Sequence, residues 1–448
     1  MTLAFKVLYR SYRAIAGVRY WGYRRLTRAG LTVLSGLVLA TIASPDTDNS
    51  VAYQGFSFLL LLLLLACCSS FFFRARFSAK RMLPRFGTVG APLKYTVALQ
   101  NLTSKTQTGL CILENLADSR PSFQDWLAVQ LAYEQRARSF RFSQNKRSNP
   151  FRLAHLGIAS VPPARSKQEV QVQCQLTPLR RGVLRLESLG IARPDPLGLF
   201  RAFTEVPLAQ NVLILPKRYP LPLIELPGTM KYQQGGIALA SNVGQSDEFV
   251  ALRDYRQGDP LRHIHWRSWA RAGKPVVKEF EDEFFVRHAL VLDTFTGHAH
   301  TEAFEEATSI AASFACTIQT QESLLDLLFV GQDSYCFTAG RGVAHGEQLL
   351  EVLASIRPAR ERSFETLERL VLNHISKVSG CIFVLLGWDE QRREFVRKVQ
   401  ASGVPLLVMV VVESDRVKLL SNNLGADRPE RFYILECGKI EQGLAQLK

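Results

Sequence analysis

From Val51 to Phe73 the chain reads VAYQGFSFLLLLLLLACCSSFFF, with no charged residue. Leucine fills every position from Leu59 to Leu65, which leaves no polar face for a soluble helix. At ~1.5 Å per residue the stretch reaches about 34 Å, enough for a hydrocarbon core of ~30 Å. Gly30 to Ser44, GLTVLSGLVLATIAS, is a shorter apolar run that spans only if Arg28 snorkels or the bilayer thins. Between Gly87 and Pro216 the period becomes two. Leu93, Tyr95, Val97 and Leu99 alternate with Lys94, Thr96, Ala98 and Gln100, and Val170, Val172, Cys174 and Leu176 repeat the pattern. With GVLRLESLGIA, NVLILP and frequent Gly, Pro and Asn, this predicts an antiparallel β-sandwich. RPDPLGLF (Arg193 to Phe200) is a tight turn expected to set the geometry between the sandwich and the C-terminal part of the chain. QQGGIALASNVGQSDEF is a polar connector. Beyond it, apolar runs (HALVLDT, LLDLLFV, GCIFVLLGW, VPLLVMVVV, RFYILEC) alternate with helix-period segments, as in a doubly wound α/β domain with parallel strands. Ligands of such sheets gather at the strands' carboxyl ends, where Asp293 and Asp389 stand.

The fold class predicted is therefore a membrane hairpin plus mixed β and α/β structure, an antiparallel β-sandwich followed by a doubly wound α/β domain. The expected boundaries are a basic and aromatic segment at 1–29, the two-helix hairpin at 30–73, the sandwich-like domain at 87–216, a linker at 217–246, a motif module at 247–284 and the α/β domain at 285–448.

Charge adds an orientation. The net charge is +15 over 448 residues, and much of the excess flanks the apolar runs. Lys6, Arg10, Arg13, Arg19, Arg24, Arg25 and Arg28 precede the first run, and Arg74, Arg76, Lys80, Arg81 and Arg85 come after the second. The turn between them holds Asp46 and Asp48 and no base. By the positive-inside rule both basic flanks are cytoplasmic, which predicts a multi-pass membrane protein with its folded domains in the cytoplasm. The first 28 residues interleave bases with Tyr and Trp. An RNA-binding arm is one reading, and a helix lying in the bilayer interface fits better. The 8 cysteines form no CxxC pair and no zinc-finger spacing, consistent with reduced thiols in a cytosolic domain.

The densest chemistry lies in RDYRQGDPLRHIHWRSWARAGKPVVKEFEDE, Arg253 to Glu283. Asp259-Pro260 is a helix-start signal and Gly273 a stop, so a helix followed by an acidic strand is expected. Four readings compete. His263 and His265 diverge by about 200° on a helix, which weakens a metal site. His265 with Asp254 or Asp259 lacks an accompanying nucleophile for acid–base chemistry. Arg253, Arg256, Arg262 and Arg267 with two tryptophans suffice for a phosphate or nucleic-acid grip, though the nearby acids oppose it. A structural clamp or docking module pairs these bases with Glu279, Glu281, Asp282 and Glu283.

The same residues carry a resemblance. Arg253, Tyr255, Gly258, Asp259, Arg262, Ile264, His265, Trp266, Ala270, Arg271, Lys278 and Glu279 fit the pattern of the DUF58 family, and RPDPLGLF resembles its D-P-F/L-G-L-F turn. The resemblance implies a last domain similar to the von Willebrand factor A fold. The divalent-ion motif of that fold is D-x-S-x-S. Here it is DTFTG, where Asp293 remains but Phe295 and Gly297 offer no side-chain oxygen for a hard cation. No metal or other cofactor is expected. The family resemblance further implies a bacterial source, so that the lipid bilayer is the inner (cytoplasmic) membrane, and a MoxR-type AAA+ ATPase as partner. Beside the bilayer that the apolar runs imply, no nucleic acid is expected. The resulting expectation is a membrane-anchored adaptor that is not an enzyme. The alternative is a phosphate- or nucleotide-dependent hydrolase with its site between Arg253 and Glu283.

Overall fold

The computed structural model describes residues 2–43, 50–73, 75–117, 121–124, 126–127, 129–131, 151–222, 249–257, 259, 261, 264–280, 286–296, 301–317, 323–339, 343–414, 417, 420 and 429–447. The chain divides into two compact units: Met1–Lys217 with His298–His300 and Glu351–Ile356, and Arg218–Gly297 with Thr301–Leu350 and Arg357–Lys448. The expected linker falls largely outside the described residues.

The first unit begins with three helices, α1 (Thr2–Arg25), α2 (Arg28–Ala43) and α3 (Ser50–Phe71). Nine strands come next among the described residues: β1 (Phe77–Met82), β2 (Phe86–Thr88), β3 (Leu93–Asn101), β4 (Cys111–Leu116), β5 (Ala154–Leu156), β6 (Ala159–Ser160), β7 (Glu169–Pro178), β8 (Gly182–Pro194) and β9 (Arg201–Leu215). They form two sheets, ordered β1-β3-β7-β5 and β2-β9-β8-β4-β6. The period-two pattern explains the layering. Tyr95, Val97 and Leu99 of one sheet and Ile112, Leu186, Leu189 and Ile191 of the other share a single core, so the unit is consistent with a β-sandwich.

RPDPLGLF does not link the sandwich to the C-terminal part of the chain. It closes the β8–β9 hairpin, in which Pro194 faces Arg201. Asp195 organises the turn by accepting from Leu197 N (3.0 Å) and Phe200 N (2.7 Å). The α1–α2 junction is fastened to the same turn. Thr27 Oγ1 donates to Gly198 O at 2.5 Å, and Thr27 N donates to Leu199 O at 3.0 Å. Gly30 is required by this approach, because a Cβ there would sit 2.1 Å from Leu199 O. The N-terminal aromatics are used within the unit as well. Tyr9 packs edge-on against Phe123 and donates to Pro121 O at 2.8 Å.

The expected multi-pass inner-membrane topology, with its folded domains in the cytoplasm, is corrected by the helices themselves. Among the described residues one helix, Tyr53–Phe71, is long and apolar enough to cross a membrane, with a mean hydropathy of 2.0. The apolar stretch of α2, Arg28–Ile42, is too short. At ~1.5 Å per residue, a helix of that length falls several ångströms short of a ~30 Å core. Without a second span the hairpin, and the orientation drawn from it, have no support. The acidic turn lies outside the described residues. Arg81, counted as a flanking base, is 2% exposed inside the sandwich.

The second unit holds β10 (Phe249–Asp254), α4 (Trp266–Ala272), β11 (Val276–Phe280), β12 (Val286–Leu292), α5 (Glu302–Thr317), β13 (Ser323–Val330), β14 (Ser334–Ala339), α6 (Val343–Ser355, whose last turn is grouped with the first unit), α7 (Glu365–His374), β15 (Gly380–Leu385), α8 (Glu390–Ala401), β16 (Leu406–Val412), β17 (Phe432–Glu436) and α9 (Ile440–Leu444). β10 and β11 pair by themselves, and a six-stranded sheet runs β14-β13-β12-β15-β16-β17. Its strands are parallel except β14, which is antiparallel to β13 at the edge. Ala289, Val291, Phe383, Leu385, Val408 and Val410 face Leu367 and Val371 of α7 and Phe395 and Val399 of α8. The buried stripe of α5 packs against β12, β15 and β16. The architecture is thus mixed β and α/β.

Candidate functional site

The motif module is built on the β10–β11 hairpin, with Arg253 opposite Val277 and Asp254 opposite Val276. Ile264 bridges back to Val277, and His265 N donates to Val276 O at 2.9 Å. This extended return delays the helix. It begins at Trp266, with His265 rather than Asp259 as its N-cap residue. Gly273 ends it in the left-handed conformation at φ 67°, its N–H donating to Trp269 O.

Asp259 is engaged elsewhere. Arg253 grips it with both forks, Nη1 to Oδ2 at 2.7 Å and Nη2 to Oδ1 at 2.8 Å, and Arg256 N donates to Oδ2 at 2.8 Å. The Arg253 hydrogen bonds first, then that of the Arg256 amide, lower the Asp259 pKa to about 2. A depressed carboxyl contributes stability that is present above its unfolded value of about 3.9 and is lost as pH falls through about 2. An NMR titration should therefore place the Asp259 midpoint near 2, and Arg253→Ala should move it upward toward the ordinary carboxylate value. An unmoved midpoint would show that Arg253 does not hold this group.

The rest of the motif divides by exposure. Ile264, Val276 and Val277 are buried, and Tyr255 and Lys278 are half-buried. His265 Nδ1 lies 2.7 Å from Ser268 Oγ. Lys274 pairs with Asp254 at 2.7 Å in solvent, a contact worth little. Trp266 and Trp269 stack with centroids 5.2 Å apart and 15° between planes. Trp266 is 66% exposed and Leu261 69%. Ala270, Arg267 and Arg271 are exposed beside them. Gly258, Arg262, His263, Glu281, Asp282, Glu283 and the Glu279 side chain lie outside the described residues, and with them the expected pairing of Arg262 to the acidic tail.

A second constellation sits at the carboxyl ends of β12 and β15, where the strand order reverses direction around β12 and α/β sheets place ligands. Asp293 is fully buried and Asp389 caps α8. Asp293 Oδ1 accepts from Phe295 N at 2.9 Å, and Oδ2 accepts from Leu386 N at 3.0 Å and Arg392 Nε at 2.7 Å. Arg392 also holds Asp389 through Nη1 and Phe295 O through Nη2 at 3.2 Å, with its guanidinium 5.0 Å from the Phe364 ring centroid. A guanidinium thus supplies the positive charge at Asp293. Its environment raises the Arg392 pKa: burial acts downward, and the Asp293 and Asp389 carboxylates outweigh it. A cavity of about 380 Å³ opens beside it, lined by Phe295, Arg360, Phe364 and Gln391. Sequence reasoning found Asp293 and Asp389 but missed Arg392. The available signal was its position one helical turn after the capping Asp389.

A paired-strand module leading into an α/β sheet is the class these elements define. Residues 251–418 match the model of a family described as "Protein of unknown function DUF58", and a DUF58-family domain occupies that stretch. The "Uncharacterized protein YeaD" of Bacillus subtilis (strain 168) is 25% identical over 192 residues, which cover 42% of this chain and 46% of that protein. The chain thus spans about half the length of the curated relative it matches. Among solved structures, the CARDB domain of the PF1109 protein in complex with di-metal ions from Pyrococcus furiosus is 12% identical, covering 31% of this chain and 93% of that chain at a TM-score of 0.17. A cohesin module from Clostridium perfringens is 11% identical, covering 32% and 98% at a TM-score of 0.17. Scores this low carry no structural equivalence, and the fold rests on its own geometry.

Proposed function

We propose that this chain is a non-enzymatic adaptor, held at a lipid bilayer by α3, that docks a MoxR-type AAA+ ATPase through the tryptophan surface of the motif module. One observation carries the reading: the motif's first arginine closes on its own Asp259 while Trp266 stands open to solvent. Both Nη atoms of Arg253 are committed to Asp259, so the motif's first arginine offers no fork to a phosphate. The stacked Trp266–Trp269 pair, with Leu261 and the exposed Arg267 and Arg271, has the composition of a protein-binding hot spot for an apolar patch with an acidic rim. The α/β domain is read as von Willebrand factor A-like, with Arg392 in place of the ion at Asp293. The bilayer is supported by the outward faces of α3, where Phe58, Leu61 and Leu65 are 64%, 58% and 56% exposed, unlike a core helix.

The detergent-solubilised full chain should bind the purified MoxR-type ATPase of the same cell. Trp266→Ala should weaken binding by roughly thirtyfold, the ~2 kcal/mol typical of a hot-spot aromatic, without moving the melting temperature. Equal binding by the variant, or none by the parent, removes the proposal. Hydrolysis of a phosphate ester that is abolished by Arg253→Ala would favour the enzyme alternative instead.

A further inference from the structure

The edge of the six-stranded sheet holds a second cluster of chemically capable side chains. Asp326 of β13, fully buried, lies opposite Thr338 of β14, and the exposed Cys336 projects two residues away on the same face. His374, the last residue of α7, reaches the same point. A carboxylate oxygen of Asp326, the Cys336 sulfur and a ring nitrogen of His374 all lie within 4.8 Å of one another. We propose that Asp326, Cys336 and His374 form a binding site for a borderline-soft divalent cation, zinc above all, with a fourth position open to solvent.

The donor set selects the ion. One thiolate, one imidazole and one carboxylate suit Zn²⁺, whereas Mg²⁺ and Ca²⁺ prefer oxygen alone. The geometry needs only side-chain adjustment. His374 Nε2 and Asp326 Oδ2 are 2.6 Å apart in a hydrogen bond. Ligand atoms around a tetrahedral zinc stand about 3.4 Å apart, from bonds of about 2.0–2.3 Å, so this pair opens by under an ångström while Cys336 closes in. The carboxylate is already oriented from behind, since Oδ1 accepts from Thr338 Oγ1 at 2.6 Å and Arg287 Nη2 at 3.1 Å. Such outer contacts steer a metal ligand. Arg287 is also the competitor, because its Nε donates to Oδ2 at 2.5 Å and must yield that oxygen to the cation. Cys336 is exposed on the edge strand, which gives an ion and a fourth ligand their route in. No sequence motif marks the set, because its members come from a strand, its hairpin partner and a helix.

Cobalt reports directly on thiolate ligation. The full-length protein in detergent, titrated with Co²⁺, should develop a thiolate-to-cobalt charge-transfer band at one equivalent, and Zn²⁺ should bleach it. Cys336→Ser should abolish the band without altering the melting temperature, because that side chain is exposed. His374→Ala should weaken Zn²⁺ binding at least tenfold. Thr338→Ala, which removes only a positioning contact, should weaken it by roughly 10–100-fold while retaining the band. The absence of a band at saturating Co²⁺ would overturn the site and leave an ion-pair network around Asp326. A band that survives in Cys336→Ser overturns it equally, since one of the other cysteines would then be the ligand.

Discussion

Alanine at position 392 is expected to lower the melting temperature of the second unit by roughly 6–20 °C. Asp293 is fully buried, and Arg392 Nε supplies its balancing charge at 2.7 Å. Removing one partner of a buried pair leaves an uncompensated charge at a cost of about 3–5 kcal/mol. In a unit of this size each kcal/mol moves the transition by about 2–4 °C. The two amides that still donate to Asp293, Phe295 N and Leu386 N, soften the loss but do not neutralise the charge. Arg392→Lys should recover little, because an ammonium cannot reproduce a planar fork spread over Asp293, Asp389 and Phe295 O. Asp293→Asn on the alanine background should recover part of the loss by removing the buried charge. Added Mg²⁺ should recover none, since neither Phe295 nor Gly297 offers a side-chain oxygen. Scanning calorimetry of the full chain resolves the transition, and a shift smaller than about 2 °C in Arg392→Ala would show that the guanidinium is not what neutralises Asp293.

Local pattern and long-range pairing were unequally legible. The alternation of Leu93, Tyr95, Val97 and Leu99 placed β3, because burial of one sheet face is written every second residue. The apolar runs ending at Leu292, Leu385 and Val412 placed β12, β15 and β16, buried on both faces. Edge strand β14 was not anticipated, although Ser334, Cys336 and Thr338 alternate with Tyr335, Phe337 and Ala339, because so short an alternation between two helix-period segments does not show that it turns back antiparallel on β13. Asp259-Pro260 was misleading for a tertiary reason: Arg253, across the turn, takes the carboxylate that would have capped the helix. RPDPLGLF announced a turn, but no local signal shows which strands it joins or that Thr27 fastens to it. Charge was the least legible property. Arg392 looked like one more base on an amphipathic helix, because Asp293 lies 99 residues away in the chain. Apolar length, by contrast, is legible. The shortness of Gly30–Ser44 was visible in the sequence, and it is what removes the second span.

The same blindness concealed Arg81, and the second large effect is expected there. Arg81 and Glu114 are buried together between the sheets of the sandwich, with side chains 0% and 3% exposed. The pairing is bidentate, Nε to Oε1 at 3.0 Å and Nη2 to Oε2 at 2.6 Å. Nη1 donates to Leu208 O at 2.9 Å, and Tyr95 OH donates to Glu114 Oε1 at 2.9 Å, so the cluster is well satisfied. Burial nevertheless leaves the Glu114 pKa raised, against the lowering effect of Arg81 and of the Tyr95 hydrogen bond. Arg81→Met should therefore cost about 3–5 kcal/mol at neutral pH, by stranding Glu114. It should also raise the Glu114 pKa further, which fixes the sign of the pH dependence. A carboxyl with a raised folded pKa contributes stability that is fully present below its unfolded value of about 4.3 and is lost as pH rises through the folded value. Glu114's contribution to the variant's stability should accordingly rise on acidification, and the deficit relative to the parent should shrink as the stranded carboxylate protonates. Arg81→Met with Glu114→Leu should recover most of the loss, because apolar residues of similar volume replace a buried pair at little net cost. The check is chemical denaturation of the parent and both variants across the acid range. A deficit in Arg81→Met that does not change with pH would assign its cost to lost packing of the arginine stem rather than to the stranded carboxylate.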